Sequence, residues 1–324
     1  MPKALWYVEP GIAVLRDEHV APGPDDLCVR AHFGAISRGT EALVFAGRVP
    51  QTEYQRMRGP HMGGVFPFPV KYGYAIVGTV YSGPSHLHGR MGFALHPHQD
   101  LFALPPDGFI PLPEGVPPQR AVLAANMETA LNAVWDGAPG PADRIAVIGA
   151  GVVGALVAFL CAQVPGTDVV LVDIDPARAA LARALGVTFA SPGSAPKDCD
   201  LVFHASGSAS GLATAFDLAG DEARIIEMSW YGAGEAAIPL GGAFHSRRLT
   251  IASSQVGKVA PSHRPRWTPA RRMAAALGLL RDARLDALIA PPIRFADLPA
   301  ELPRILAPSS GVLCQRIDYP AAAS

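Results

Sequence analysis

Residues 144–154 read Arg144-Ile145-Ala146-Val147-Ile148-Gly149-Ala150-Gly151-Val152-Val153-Gly154. An apolar run, three spaced glycines and a second apolar run are the pattern of a strand, a tight turn and a helix. In a dinucleotide fold the first glycine makes the turn, the second lets pyrophosphate approach the backbone, and the third lets helix and strand pack closely. The amides of Val152 and Val153 then open a helix N-terminus, where partial positive charge favours phosphate. The next apolar run, Val169-Val170-Leu171-Val172, ends in Asp173. That is a little past the roughly 20 residues expected for the acid that holds the ribose. A carboxylate there accepts from both ribose hydroxyls and repels a 2′-phosphate, so NAD is expected over NADP. Arg178, one turn further on, is expected along the adenine ribose.

Outward from this stretch the chain keeps alternating. Strands are expected at Arg144–Gly149, Asp168–Asp173, Asp200–Ala205, Ala223–Trp230 and Leu249–Gln255. Helices are expected at Gly151–Val164, Pro176–Leu185, Ser210–Leu218 and Pro269–Arg281. Such alternation predicts a parallel sheet with helices on both faces. Residues 1 to about 115 differ, with short apolar runs such as Ala4–Val8, Leu27–Phe33, Tyr74–Tyr81 and Phe93–His96 broken by Gly and Pro. They read as an irregular β unit. β-like character returns after about residue 289, at Pro291-Pro292-Ile293 and Leu313–Tyr319. The fold class is therefore α/β: a β domain made by both chain ends, residues 1–118 and 289–324, with a Rossmann-type doubly wound domain inserted at 119–288.

Composition excludes several classes. The 324 residues carry a net charge of −1, are 49% hydrophobic and only 17% charged. That argues against disorder and against nucleic-acid binding, which shows a basic excess. The longest apolar stretch, Val152–Val164, is too short to span a bilayer at about 20 residues. Met1–Pro10 lacks a signal-peptide core. A cytoplasmic protein with a small-molecule substrate is expected, with neither nucleic acid nor membrane insertion. Cys28, Cys161, Cys199 and Cys314 form no Cys-x-x-Cys pair, so no zinc ribbon or disulfide framework is available.

A β-rich first part, the Gly149–Gly154 fingerprint and a return to the first domain resemble the medium-chain dehydrogenase/reductase superfamily, which includes zinc alcohol and polyol dehydrogenases. The resemblance implies a GroES-like β domain, an NAD-binding Rossmann domain and alcohol dehydrogenase chemistry. Pro69–Gly78 is similar to the family's Gly-His-Glu segment. The resemblance also implies a zinc held by Cys, His and then Cys or Glu. Here the cysteine position falls on Ser37 or Arg38, the histidine is Tyr74, the following acid is Ala75, and the third position is Ala125. The four-cysteine structural loop is absent after Arg90. No catalytic or structural zinc is expected, because a catalytic site needs three protein donors. Ser37-x-Gly39-Thr40-Glu41, Gly47-Arg48-Val49-Pro50 and Gly73-Tyr74 resemble the bacteriochlorophyllide dehydrogenase branch, implying a hydroxyethyl-chlorin-like substrate. Pairing of the Leu249–Gln255 strand across a homodimer is a further implication of the superfamily.

Zinc-free hydride transfer still needs a group that moves the hydroxyl proton. Tyr74 stands where the family polarises substrate. Its phenol, with a pKa near 10, needs a cation such as Lys71 or Arg38 to act as base; otherwise Tyr74 only fills the vacated space. His96, in His96-Pro97-His98, is a proton carrier if it titrates near neutrality. Glu41 and Glu128 are read either as partners of Arg38 or Lys71 in a structural network or as groups in proton transfer, which places Lys71 and Glu128 with Tyr74 and His96 among the candidate catalytic residues. Arg38 and Thr129 are also placed against the cofactor, Arg38 on its pyrophosphate. Ser206 and Gly207 are expected in a turn by the nicotinamide ribose, with His204 at the strand end before it. Met228, Ser229, Ser253 and Ser254 are expected to give contacts to the carboxamide. The segment 57–64 reads as a long mobile loop, and the basic run 263–272 as a solvated face. Three activities remain open: NAD-dependent interconversion of a secondary alcohol and a ketone, a quinone or enoyl reductase, and an inactive nucleotide-binding protein. Gly149, Gly151 and Asp173 count against the second.

Overall fold

Ile145, Ala146, Val147 and Ile148 are all buried, as a strand covered on both faces requires. Arg144–Ile148 lies inside a six-stranded sheet ordered Thr188–Ala190, Asp168–Val172, Arg144–Ile148, Cys199–His204, Ala219–Glu227, Thr250–Ser253. Every neighbouring pair in this computed structural model is parallel. Strand order runs one way from Arg144–Ile148 and then reverses, which sets a crevice outside the carboxyl ends of Arg144–Ile148 and Cys199–His204. The structure describes residues 1–232 and 234–320.

The connecting helices follow from local sequence. Val152–Cys161 is apolar nearly all round, and Gly154 through Cys161 are buried, as such a helix must be. Arg178–Leu185 stops at Gly186, whose φ of 76° is a left-handed cap that glycine adopts without steric cost. Ser208 caps Ala209–Leu218, its hydroxyl accepting from Gly211 N. These elements belong to the unit Asn126–Ala276; Met1–Ala125 and the segment from Leu277 onward form the other. The units thus part at Ala125 and Ala276, whereas the change in composition is at residues 118 and 288. Among the described residues no helix is long and apolar enough to cross a membrane.

The second unit carries a four-stranded sheet, Ile12–Asp17, Lys3–Glu9, Val70–Lys71, Gly63–Gly64. A larger mixed sheet contains Ile289–Arg294, Cys314–Asp318, Leu27–Ile36, Ile76–Ser82, Met91–Ala94 and Phe109–Pro111, with Leu101–Leu104 also on Leu27–Ile36. Its core joins Leu5, Val29, Ile76 and Phe102 to Leu298, Leu302 and Ile305, so both chain ends build it. Two helices depart from the all-β reading. Arg38–Phe45 forms because Glu41 reaches back to accept the Ser37 N–H at 2.8 Å, a donor otherwise orphaned at a helix start. Leu298–Leu306 contains Pro303 and has a proline in its first turn, yet Leu298, Leu302, Ile305 and Leu306 are buried along one face.

Candidate active site

Each fingerprint glycine meets a different neighbourhood. Gly149 has φ 102°, and a Cβ there would lie 2.7 Å from Ser206 N. A Cβ on Gly154 would lie 2.0 Å from the Gly149 carbonyl oxygen, whereas one on Gly151 meets nothing within 4 Å. The open face over Gly151 is therefore a cradle, and the helix Val152–Cys161 begins there with no side-chain cap. These residues fit a dinucleotide, with first-turn amides at Val152 and Val153 left to meet phosphate. Asp173 follows the strand Asp168–Val172. Its Oδ2 accepts from Ala150 N at 2.6 Å and its Oδ1 from Asp175 N at 2.9 Å. Each oxygen retains a second acceptor site, so one carboxylate braces the glycine loop and can still hold ribose hydroxyls. Arg178 lies 3.4 Å from Asp175 at the start of the next helix.

Beyond the strand Cys199–His204 a polar cluster closes the same edge. His204 Nδ1 lies 2.7 Å from Glu227 Oε2, and its Nε2 lies 2.6 Å from Ser206 Oγ. Gly207 N donates to Ser229 Oγ at 3.0 Å, and Met228 N donates to the His204 carbonyl at 2.9 Å. Ser253 pairs in register with Glu227, while Ser254 N donates to the Glu227 carbonyl and Ser254 Oγ to Asp136 at 2.7 Å. The seven residues expected at this edge, His204 among them, are thus brought together. Glu227 was not among them. Its signal in the sequence is a lone acid ending the apolar run Ile225-Ile226.

The residues of the other unit are arranged differently from expectation. Tyr74 donates to Ser37 Oγ at 2.6 Å. Burial raises its pKa and outweighs the lowering by Ser37 and Thr40. The cations expected to activate it are engaged elsewhere: Arg38 donates to the carbonyls of Val312 and Ala307, and Lys71 meets Glu18 and Gln99. Nor does Glu41 pair with either cation. It is fully buried, accepting from Tyr7 Oη at 2.7 Å and lying 2.9 Å from His98 Nε2, a network the sequence did not reveal. Lys71 and His96 do share a cavity of about 250 Å³, with Glu18, His61, Met62 and Gln99 in its wall. The 57–64 loop that supplies His61 and Met62 is tied back by Arg58, which donates to the carbonyls of Met62 and Gly64.

His96 does not titrate near neutrality. It is 3% exposed and stacked on Phe102 at 3.9 Å, and burial pushes its imidazole down to about 3. The folded state holds it neutral while the unfolded chain, with a pKa near 6.5, takes up a proton. Stability is therefore lost as pH falls from about 6.5 toward 3, with a slope approaching 1.4 kcal/mol per pH unit. Urea unfolding of wild type and His96→Gln at pH 7 and pH 5 should show the wild type losing more, by about 1–2 kcal/mol. Equal losses would show that this imidazole is already charged when folded.

Glu128 also departs from expectation. It lies on the helix Ala124–Gly137 and meets Arg272 at 3.0 Å, not Arg38 or Lys71. Burial raises its carboxyl pKa, with Arg272 opposing. Arg272 is itself 3% exposed and also donates to Asn132 Oδ1 and to the carbonyls of Val256 and Lys258. Arg272 is therefore buried, the exception in a run where Arg264, Arg266 and Arg271 are exposed as expected of a solvated face. Thr129, next to Glu128, is half-buried on the same helix.

Residues 144–197 match the family model "3-hydroxyacyl-CoA dehydrogenase, NAD binding domain". No curated protein matches the sequence. Among solved structures the chain is similar to L-idonate 5-dehydrogenase from Escherichia coli, at 14% identity and a TM-score of 0.80 over 98% of each chain. It is similar to a zinc-binding dehydrogenase from Sinorhizobium meliloti bound to NADP, at 18% and 0.79 over 98% of this chain and 99% of that one. It is also similar to 2R,3R-butanediol dehydrogenase from Bacillus subtilis, at 16% and 0.78 over 99% and 100%.

The chain has the medium-chain dehydrogenase fold.

Medium-chain dehydrogenases of the zinc type hold a metal, and the residues here do not suit one. Arg38 is a cation that only donates, Tyr74 directs its hydroxyl to Ser37, and Ala75 and Ala125 bring no donor. Among the described residues no group of three or more His, Cys, Asp or Glu could hold a metal ion. Cys28, Cys161, Cys199 and Cys314 are free and buried.

Proposed function

We propose that this protein is an NAD(H)-dependent oxidoreductase that interconverts a secondary alcohol and a ketone without zinc. The observation that carries the reading is the division of labour at the glycine loop: Gly151 faces open space while Gly149 and Gly154 are sterically obligatory, and Asp173 stands over the loop. Gly151 and the amides of Val152 and Val153 would hold the pyrophosphate. Asp173 would hold the adenine ribose and repel a 2′-phosphate. Ser206, Gly207, Met228 and Ser229 lie at the carboxyl edge where Rossmann sheets take their ligands. When bound, the nicotinamide supplies two-electron hydride chemistry.

Fluorescence titration should show NADH binding at least about tenfold more tightly than NADPH, the loss expected from one repelled phosphate. Equal affinities would remove Asp173 from the ribose. Absorbance at 340 nm across a panel of secondary alcohols and ketones should show turnover, and elemental analysis of the active protein should show no stoichiometric zinc. A protein that binds NADH and turns over nothing in the panel would instead be a nucleotide-binding protein.

A further inference from the structure

Along the row of the sheet that ends the parallel strands, Val172 pairs with Ile148, Ile148 with His204, His204 with Glu227, and Glu227 with Ser253. The row changes from apolar to ionisable at the strand-order reversal. His204 is 0% exposed, and the Glu227 side chain is 14% exposed. Burying such a pair costs several kcal/mol in desolvation, and an apolar pair would pack there at no such cost. Ser206, by contrast, is exposed, and it sits on the turn that packs against Gly149 of the dinucleotide loop.

The hydrogen-bond directions follow from the acceptors. Burial alone would raise the Glu227 pKa, but the hydrogen bonds it accepts from His204 and from the Ser229 N–H hold it below the usual value, so Glu227 is ionised. An ionised carboxylate only accepts. Nδ1 of His204 therefore carries the proton toward Glu227, and Nε2 presents its lone pair to the Ser206 hydroxyl. Ser206 Oγ in turn lies 2.9 Å from Ser208 Oγ and accepts from Ser208 N at 3.3 Å. Tyr231 Oη reaches Glu227 at 3.3 Å and His204 Nδ1 at 3.5 Å. Space for the cluster depends on Gly211, where a Cβ would lie 2.2 Å from Ser206 Oγ and 2.8 Å from His204 Nε2.

We propose that Ser206, His204 and Glu227 form a proton relay whose outer hydroxyl, Ser206 Oγ, exchanges the proton of the reacting alcohol or carbonyl, an inference that rests on the oxidoreductase reading. In oxidation the alcohol O–H proton passes to Ser206 Oγ as the Ser206 proton passes to His204 Nε2. The carbinol C–H bond breaks and its electron pair leaves as hydride to the oxidised nicotinamide. The products are a ketone, the reduced nicotinamide and a His204 imidazolium balanced by Glu227. Reduction runs the same transfers backward. Ser206 is then the catalytic residue, His204 its proton acceptor, and Glu227 the positioning residue that fixes the imidazole tautomer.

Two measurements test the relay without a known substrate. A fluorophosphonate probe reports hydroxyl activation, because the Ser206 Oγ–P bond forms as P–F breaks, the hydroxyl proton going to His204 and fluoride leaving. Intact mass should show one label on Ser206, protected by NADH and slowed about 100-fold or more in His204→Gln, the scale of general-base assistance. Second, the labelling rate should separate the relay from its surroundings: Tyr231→Phe, whose hydroxyl only flanks the His204–Glu227 bond, should label at close to the wild-type rate, whereas Glu227→Gln, which no longer fixes the imidazole tautomer, should label at least about tenfold more slowly. Circular dichroism and NADH affinity of the variants report whether they fold. Wild type that binds NADH but shows no labelling of Ser206, or labels at the same rate in His204→Gln, would overturn the relay alone. Wild type that binds no NADH would overturn both the relay and the oxidoreductase reading.

Discussion

Asp173→Ala is expected to weaken NADH binding by about 10- to 100-fold, the range for losing charge-assisted hydrogen bonds worth about 1.5–3 kcal/mol. Two effects act together. The ribose loses its acceptor, and Ala150 N loses the carboxylate oxygen 2.6 Å away, so the glycine loop is less firmly held. Asp173→Asn separates them. Its one amide oxygen still braces Ala150 and its NH2 gives up the bond from Asp175 N, while the negative charge facing a 2′-phosphate is gone. NADPH affinity should rise toward that of NADH in this variant, and NADH affinity should fall less than in Asp173→Ala. Titration of both dinucleotides against the three proteins checks this. Unchanged NADH affinity in Asp173→Ala would show that the ribose lies elsewhere.

Gly151→Ala and Gly154→Ala differ by the same methyl group and should fail in opposite ways. At Gly154 the added carbon lies 2.0 Å from the Gly149 carbonyl oxygen, a backbone atom that cannot rotate aside. The helix Val152–Cys161 has to back away from its strand, at a cost of about 1–3 kcal/mol or more for overpacking. The melting temperature should drop by several degrees. At Gly151 the added carbon meets nothing within 4 Å, and its φ of −73° suits any residue. That variant should melt with the wild type and lose NADH affinity by about tenfold or more, because a methyl would hold the pyrophosphate off the amides. A Gly151→Ala protein with full affinity would move the phosphates away from this turn, whereas one with a lowered melting temperature would contradict the open face.

The sequence was most informative where chemistry is local. Three glycines within six residues and an acid at the next strand end are set by one strand-turn-helix connection, so the cofactor half was legible. The pairing of His204 with Glu227 was not. The two meet through strand register, and no spacing in the sequence links them. Glu128 and Arg272 are likewise joined by packing across distant segments, and without it Arg272 looked like one more charge in a basic run. Leu298–Leu306 was hidden by its prolines, although the buried leucines keep helical period. The role of the Tyr74 phenol depends on its neighbours, and these proved to be Ser37 and Thr40.

Arg272 has a consequence for how this chain can be altered. One guanidinium joins Glu128 and Asn132 on one helix to the carbonyls of Val256 and Lys258 on a loop. Loops at the ends of parallel strands are where related scaffolds usually diversify. Here that loop has a fixed point. Insertions between Lys258 and the helix Pro269–Leu279 leave the four bonds in place, whereas a deletion across Val256–Lys258 removes two of them and leaves the buried guanidinium only Glu128 and Asn132. Variation in this region is therefore channelled toward lengthening after Lys258, which makes that stretch the natural place to graft a new specificity segment.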